Sequence, residues 1–303
     1  MRFTKMHGLG NDYIYIDCFI EKIPDAGKSR LTRLLSERHC GIGGDGVVFI
    51  RPSKKADCGM DMYNADGSYS AMCGNALRCV AKYFYEKQYA VQTAPNCPRL
   101  AKMTVESAGK VYELELFIEE GHVCRVRVCM GAPELTASKI PVVSDHTWAV
   151  DEPIKIAGTQ MKMTCVSIGN PHAVVVYPAL DALDIETLGP LFERHPRFPE
   201  RTNVEFIEII DKNTVRMRVW ERGSGETLAC GSGSCAALVA CVLGGLTEDE
   251  ISVRQNGGEL RVFWDRQAKK IYMTGEAVTV FSGEISEQAM EAIARADEKS
   301  HVI

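Results

Sequence analysis

Two cysteines stand 157 positions apart in the same local pattern, Ala71-Met72-Cys73-Gly74-Asn75 and Leu228-Ala229-Cys230-Gly231-Ser232. Each is followed by a segment whose pattern predicts a helix, 75–87 and 232–243, with Asn75 or Ser232 as the expected N-cap. The first N–H groups of a helix lack internal partners and carry the positive end of the macrodipole. A thiol there is expected to have a depressed pKa, and a carboxylate can dock on the same N–H groups. That combination suits removal of the α-hydrogen of an amino acid, because the charge released flows into the carboxylate. Preorganised donors at that oxygen contribute on the order of 3 kcal/mol each in the transition state, and a positioned base adds about 10²–10⁴-fold. One thiolate would take the proton from one face and a thiol on the other face would return one. Racemisation or epimerisation uses two such bases symmetrically. Either cysteine alone reads more readily as a small residue at a helix start; their correspondence reverses that and decides for chemistry.

That correspondence extends along the chain. Gly8-Leu9-Gly10-Asn11 precedes an apolar run at 13–16, and Ser167-Ile168-Gly169-Asn170 precedes one at 173–176. Val47-Val48-Phe49-Ile50 matches Val204-Glu205-Phe206-Ile207, and Met62-Tyr63-Asn64 matches Val219-Trp220-Glu221, both at offset 157. Each half therefore places a polar residue, Asn64 or Glu221, nine positions before its cysteine. Ordered self-similarity of this kind indicates a duplicated unit. The remaining pattern is strand-rich, with strands expected at 13–20, 47–51, 59–63, 103–107, 111–118, 123–129, 161–167, 173–177, 203–210, 214–220, 251–254, 259–264 and 271–274. Helices are expected at 29–39, 75–87, 184–194, 232–243 and 287–298, and the two prolines in 93–100 indicate a loop. Helix 232–243 is apolar almost all round, so a sheet must curl about it.

Composition removes other classes. A net charge of -5 with scattered Lys and Arg offers no nucleic-acid surface. No apolar run approaches the roughly 18 residues of a membrane span, and no secretion signal is evident at the N-terminus. Twelve cysteines without such a signal indicate reduced thiols in a cytoplasmic setting. No Cys-x-x-Cys or His-Glu-x-x-His occurs, so no metal is expected. Gly41-Ile42-Gly43-Gly44-Asp45-Gly46 fits G-x-G-x-x-G, yet a helix precedes it and a strand follows, the reverse of a dinucleotide-binding turn. No lysine motif calls for pyridoxal phosphate, and no cofactor is expected.

Taken in order, His7-Gly8-Leu9-Gly10-Asn11-Asp12, Asn64-Ala65-Asp66-Gly67-Ser68, Met72-Cys73-Gly74-Asn75, Gly169-Asn170-Pro171-His172, Thr202-Asn203-Val204-Glu205, Trp220-Glu221-Arg222-Gly223 and Ala229-Cys230-Gly231-Ser232-Gly233 resemble the diaminopimelate epimerase family over nearly the whole chain. The resemblance implies two similar α+β domains, each a curled, mostly antiparallel sheet around a central helix, with the site in the cleft between them. It implies a returning C-terminal strand, hence domains of 1–131 plus 277–303 and of 132–276. It implies Cys73 and Cys230 as the two bases, with His172 and Glu221 supporting the reacting centre. Gly74-Asn75 and Gly231-Ser232 would hold the reacting carboxylate. Asn11, Asn64, Asn170, Asn203, Glu221 and Arg222 would contact the substrate, diaminopimelate, with Arg222 suited to its distal carboxylate. A homodimer, and a place in lysine and cell-wall precursor synthesis, are implied as well.

Some positions depart from the family's common pattern. Gly46 stands where many members have Gln, Ala76 where Gly is frequent, Ser232 where Thr is usual, and Glu276 where Pro is frequent. Three other readings share part of the pattern. A racemase of histidine, proline or hydroxyproline would keep the chemistry and change the distal pocket. A phenazine-biosynthesis isomerase would share the fold without the two cysteines. A thiol-rich protein switching through a Cys73–Cys230 disulfide would not be an enzyme at all.

Overall fold

The computed structural model describes residues 1–89, 91–94 and 97–291. The chain divides into two units, Met1–Val128 with Glu276–Ile303, and Cys129–Gly275. In the first, β1 (Arg2–Gly8) and β2 (Asn11–Asp17) form a hairpin, and α1 (Asp25–Ser36) leads to β3 (Gly46–Arg51), which runs parallel to β2. Antiparallel β4 (Cys58–Asn64) and the short β5 (Tyr69–Ser70) follow, then α2 (Gly74–Glu86). β6 (Gln92–Ala94), β7 (Cys97–Ser107), β8 (Lys110–Glu119) and β9 (His122–Gly131) continue as an antiparallel meander, with β7 also parallel to β4.

The second unit begins with β10 (Glu152–Ile156) and β11 (Thr159–Ser167), then β12 (Pro171–Val176) and α3 (Ile185–Glu193). β13 (Asn203–Asp211) runs parallel to β12, and β14 (Thr214–Glu221) is antiparallel to β13. After β15 (Gly225–Thr227) come α4 (Gly231–Leu243), β16 (Glu250–Gln255), β17 (Gly258–Asp265) and β18 (Lys270–Gly275). The strand β19 (Val278–Glu284) then returns to pair antiparallel with β1.

Strand register carries the duplication. Val47↔Tyr63 and Val48↔Met62 in the first unit reappear as Val204↔Trp220 and Glu205↔Val219 in the second. Tyr63↔Tyr69 reappears as Trp220↔Glu226, and Tyr13↔Gly46 as His172↔Asn203. A one-residue slip would turn every side chain to the opposite face, so this agreement is a shared fold rather than a shared composition.

The central strands of each unit are buried on both faces, which explains their nearly unbroken apolar runs, while outer strands such as β8 and β17 alternate. In the second unit, Ala173, Val175, Val204 and Phe206 face a core that contains Phe192 of α3. The opposite face receives α4, which touches β11, β12, β13, β16, β17 and β18. Gly231 and the whole run from Gly233 to Cys241 of α4 are buried, as its apolar circumference predicts. The first unit repeats the plan, with Ile14, Ile16, Val47 and Phe49 packed with Leu35 of α1, and α2 against β1, β2, β7 and β8. The last turn of α2 is more polar, and Lys82, Tyr85 and Glu86 are only half-buried.

Several local expectations are corrected. Within the expected loop 93–100, residues 93–94 and 97–100 are strand, because backbone pairing to β7 and β8 outweighs the proline signal; residues 95–96 lie outside the described residues. β1 was hidden by Lys5 and His7, although the buried Lys5 is neutralised by Asp12 at 2.5 Å. β10 was hidden by Pro153, which sits at a strand start where a missing N–H is tolerated. β5 and β15 are too short to show a period. The first helix spans 25–36 rather than 29–39: Pro24 precedes it, Asp25 favours its positive end, and the Glu37 carboxylate turns the chain by accepting the His39 and Cys40 N–H groups. Residues 287–291 are helical, and the rest of the expected 287–298 helix lies outside the described residues.

Gly46 has a steric cause in this chain. A Cβ there would lie 2.0 Å from the Tyr63 carbonyl oxygen and 2.8 Å from the Tyr13 ring, so β3 starts closer to β4 than a side chain permits. Gly46→Ala is expected to destabilise the fold by about 1–3 kcal/mol through overpacking. Thermal or urea unfolding checks this, and an unchanged midpoint would contradict the close approach.

Candidate active site

In both units the cysteine itself is the N-cap. Cys73 has φ −140° and ψ 120°, Cys230 has φ −124° and ψ 118°, and each helix begins at the glycine that follows. The expected caps, Asn75 and Ser232, instead lie inside the first turn. An N-cap keeps extended dihedrals while its carbonyl accepts the first helical bond. Leu77 and Ser234 donate those bonds to the carbonyls of Cys73 and Cys230. The sheet anchors each turn from the equivalent end of its parallel neighbour. Ser107 of β7 donates to the Ala71 carbonyl at 2.9 Å. Gln255 of β16 accepts the Cys230 N–H at 2.8 Å and donates to the Ser234 hydroxyl at 3.1 Å.

The first half-site is an amide cluster. Cys73 is half-buried, and its thiol donates to Asn11 Oδ1 at 3.5 Å. Asn75 donates to the same oxygen at 3.4 Å, and Arg78, fully buried one turn later, donates to Asn75 Oδ1 at 2.7 Å. Arg78 also donates to the Glu276 carbonyl at 3.0 Å. Asn11 in turn donates to Asp45 at 2.9 Å. Asn64 donates to Ser68 at 3.0 Å within its own turn.

The second half-site is acidic. His172 and Glu205 are both completely buried, with Nδ1 and Oε1 2.7 Å apart. His172 Nε2 lies within hydrogen-bond distance of Asn170 Oδ1, at 2.9 Å. Glu205 Oε2 has no hydrogen-bond partner among the described residues. Its other oxygen lies where a Cβ on Gly233 would be only 2.6 Å away, so position 233 leaves no room for a side chain. Glu221 accepts from Thr227 at 2.6 Å and lies within hydrogen-bond reach of Cys230. Burial raises the Glu221 carboxyl above its usual range, and the contacts to Thr227, Cys230 and His172 only partly offset this.

Cys230 departs from the expected depressed pKa. Burial drives its thiol well above the ordinary value, Glu221 and Glu205 add to the rise, and the Ser232 hydroxyl and Gly233 N–H, 3.4 Å from the sulfur, oppose it less strongly. A fixed dipole loses here to desolvation beside two carboxylates.

Other residues fall as follows. Asn203 is buried, donates to the Pro171 carbonyl at 2.7 Å and accepts the Arg222 N–H at 2.9 Å, so its amide braces the β12–β13–β14 corner. Arg222 is exposed and donates to the Glu200 carbonyl at 3.0 Å. Gly74 and Gly231 occupy the first helical positions, and Ser232 is half-buried 3.6 Å from Cys230 Sγ. Sequence reasoning passed over Glu205, Gln255, Arg78 and Asp45. A charged residue inside an apolar strand run, as in Val204-Glu205-Phe206-Ile207, was the available signal for Glu205. Among the described residues no group of three or more His, Cys, Asp or Glu could hold a metal ion. No described helix is long and apolar enough to cross a membrane.

The model of the diaminopimelate epimerase family matches residues 3–136 and 164–280. The chain belongs to that family. It is 50% identical over 285 residues to the diaminopimelate epimerase of Methanococcus maripaludis, covering 94% of this chain and 99% of that one. It is 49% identical to the diaminopimelate epimerase of Acetivibrio thermocellus, covering 94% and 98%. The fold extends beyond the family. A probable proline racemase from Agrobacterium radiobacter aligns with TM-score 0.68 at 18% identity, covering 94% of this chain and 93% of that one. A phenazine-biosynthesis protein of Bacillus anthracis aligns with TM-score 0.68 at 16% identity, covering 94% and 99%.

The raised Cys230 thiol has a measurable consequence in this family member. Removing the Glu205 charge while keeping its shape should lower the thiol's pKa and expose more thiolate. Glu205→Gln is expected to speed iodoacetamide modification of Cys230 at pH 8 by about two- to tenfold. An unchanged or slower rate in a protein that melts normally would sink this account.

Proposed function

We propose that the chain is a cofactor-independent isomerase that epimerises LL-2,6-diaminopimelate to meso-2,6-diaminopimelate with Cys73 and Cys230 as its two acid–base groups. The observation that carries this reading is the paired N-cap cysteine, one in each duplicated unit, within a chain half identical to diaminopimelate epimerases along nearly their full length. The substrate is a small zwitterion, and each end needs anion, cation and amide contacts.

One cysteine, as thiolate, takes the α-hydrogen. The electron pair left on carbon spreads into the carboxylate, which the N–H groups of Gly74-Asn75 and Gly231-Ser232 stabilise. The other cysteine, as thiol, returns a proton to the opposite face, so the pair ends with its roles exchanged, the negative charge passing from one sulfur to the other and the site's total charge unchanged. Glu221, whose carboxyl burial raises, takes the proton from Cys230 when that thiol must act as base. His172, held between Glu205 and Asn170, orients the Asn170 amide. Asn11, Asn64 and Asn170 serve the amino-acid centres, with Asn203 holding Arg222 in place for the distal carboxylate.

Incubation of LL-diaminopimelate with the protein in deuterated water and reductant should yield meso product carrying α-deuterium. Cys73→Ala or Cys230→Ala should each lower turnover by at least about 10³-fold, since neither face can be served by the remaining thiol. Lack of exchange under reducing conditions would reject the enzyme reading. The racemase alternative is read in the same assay: free histidine, proline and hydroxyproline should show no more than trace exchange, and turnover of one of them above diaminopimelate would reassign the substrate.

A further inference from the structure

The glycine-rich turn that mimics a nucleotide motif ends on Asp45, and its contacts converge on the first half-site. Asp45 Oδ2 accepts the Asn11 side-chain N–H at 2.9 Å and the Asp12 backbone N–H at 3.1 Å. Its carbonyl accepts the N–H of Ala65, the residue after Asn64, at 2.9 Å. Gly44 permits this course: a Cβ there would lie 2.7 Å from Lys5 Nζ and 3.1 Å from the Asp12 carbonyl. Lys5 reaches the Gly43 carbonyl and Asp12, and Arg38 joins Asp12 at 2.9 Å to Asp45 at 3.0 Å.

The chemistry of these partners leaves one arrangement. A carboxylate only accepts, so the Asn11 amide must turn its NH2 toward Asp45 and its carbonyl oxygen toward Cys73. A guanidinium only donates, so Arg78 turns the Asn75 carbonyl toward itself and the Asn75 NH2 toward Asn11. Both charges act on one atom, Asn11 Oδ1, which then meets Cys73 Sγ as an acceptor. A free amide would face the sulfur with either end. Cys79 and Tyr15 also neighbour Cys73, and burial keeps both neutral by raising them, Cys79 to about 11.

We propose that Asp45 is a positioning residue for the epimerisation described above: by fixing the Asn11 carboxamide it keeps an acceptor oxygen on Cys73 and holds that residue as a thiol until substrate arrives. The proposal rests on Cys73 being a reacting group, but its central readout does not. Full-length wild type, Asp45→Ala, Asp45→Asn and Arg38→Ala are treated with iodoacetamide at pH 7.5. The modification rates of Cys73 and Cys230 are followed by peptide mass spectrometry, alongside kcat and KM for diaminopimelate. Asp45→Ala removes one of the two charges that set the Asn11 amide and leaves only the longer Asn75 contact at 3.4 Å to hold its oxygen, so its NH2 can turn to the sulfur part of the time, which favours thiolate. Cys73 should then react about three- to tenfold faster, with Cys230 unchanged. In the same variant kcat should fall about 10- to 100-fold, with KM altered less. Asp45→Asn keeps an acceptor oxygen for Asn11 and Arg38→Ala leaves the Asp45–Asn11 contact intact, so both should stay within about twofold of wild type in Cys73 reactivity. Equal Cys73 rates in Asp45→Ala and wild type would overturn the proposal. So would Cys230 accelerating alongside Cys73, which reports loosening of the fold, or Asp45→Asn behaving like Asp45→Ala, which reports lost charge rather than amide orientation. A wild type without α-deuterium exchange would remove the epimerase reading and leave the Cys73 result standing.

Discussion

A helix leaves its first N–H groups without internal partners, so whatever stands at its start must help to serve them. In both units of this chain the residue at that point is a cysteine in extended conformation, followed directly by glycine. Sulfur is a weak acceptor, so neither turn is held by its cap alone. Ser107 and Gln255, at the ends of the neighbouring parallel strands, bind the backbone around the cysteine instead. That division of labour lets a weak acceptor stand at the cap while the neighbouring strands hold the backbone on either side of it.

Duplication supplied one scaffold twice, and the halves then diverged where charge matters. At corresponding positions Tyr13 becomes His172, Val48 becomes Glu205, Asn64 becomes Glu221 and Asn75 becomes Ser232. The strands keep their register through these changes because the replaced side chains keep their faces. The first half presents amides whose orientation is set by Asp45 and Arg78. The second presents a carboxylate–imidazole pair packed under the helix start. A buried carboxylate–imidazole contact contributes little net stability by itself, and removing one member leaves the other stranded. The asymmetry is therefore better understood as electrostatic tuning of the two thiols than as a stability device.

Much of this was legible in the chain because the signals were periodic or repeated. The thirteen expected strands and the paired cysteines rest on alternation and on the offset of 157, both of which survive tertiary packing. Burial on both sheet faces was legible in runs such as Val47-Val48-Phe49-Ile50. What escaped was non-local. β1 carries Lys5, whose cost is cancelled by Asp12 only after the hairpin closes. β6 and the start of β7 contain turn-forming residues, and only their neighbours make them strand. Asp45 sat in a glycine-rich turn set aside as a false nucleotide motif, and nothing local showed that its carboxylate reaches Asn11. The pKa of Cys230 could not be read from position along a helix, because the opposing effects are burial first, then the carboxylates of Glu221 on β14 and Glu205 on β13.

That last correction bears on how a thiol could work on so weak an acid as an amino-acid α-carbon. A lowered pKa raises the thiolate fraction but weakens the thiolate as a base, and proton transfer is best served when acid and base are matched. Desolvation beside Glu205 and Glu221 moves Cys230 the other way. Its resting form is the thiol, ready to donate, and its conjugate base is stronger for having been buried. Glu221, itself raised and within hydrogen-bond reach of Cys230, is placed to accept the proton that must leave first. On the proposed reaction, the acidic half-site therefore does not merely tolerate its carboxylates. It uses one to raise the basicity of the sulfur and the other to unload it.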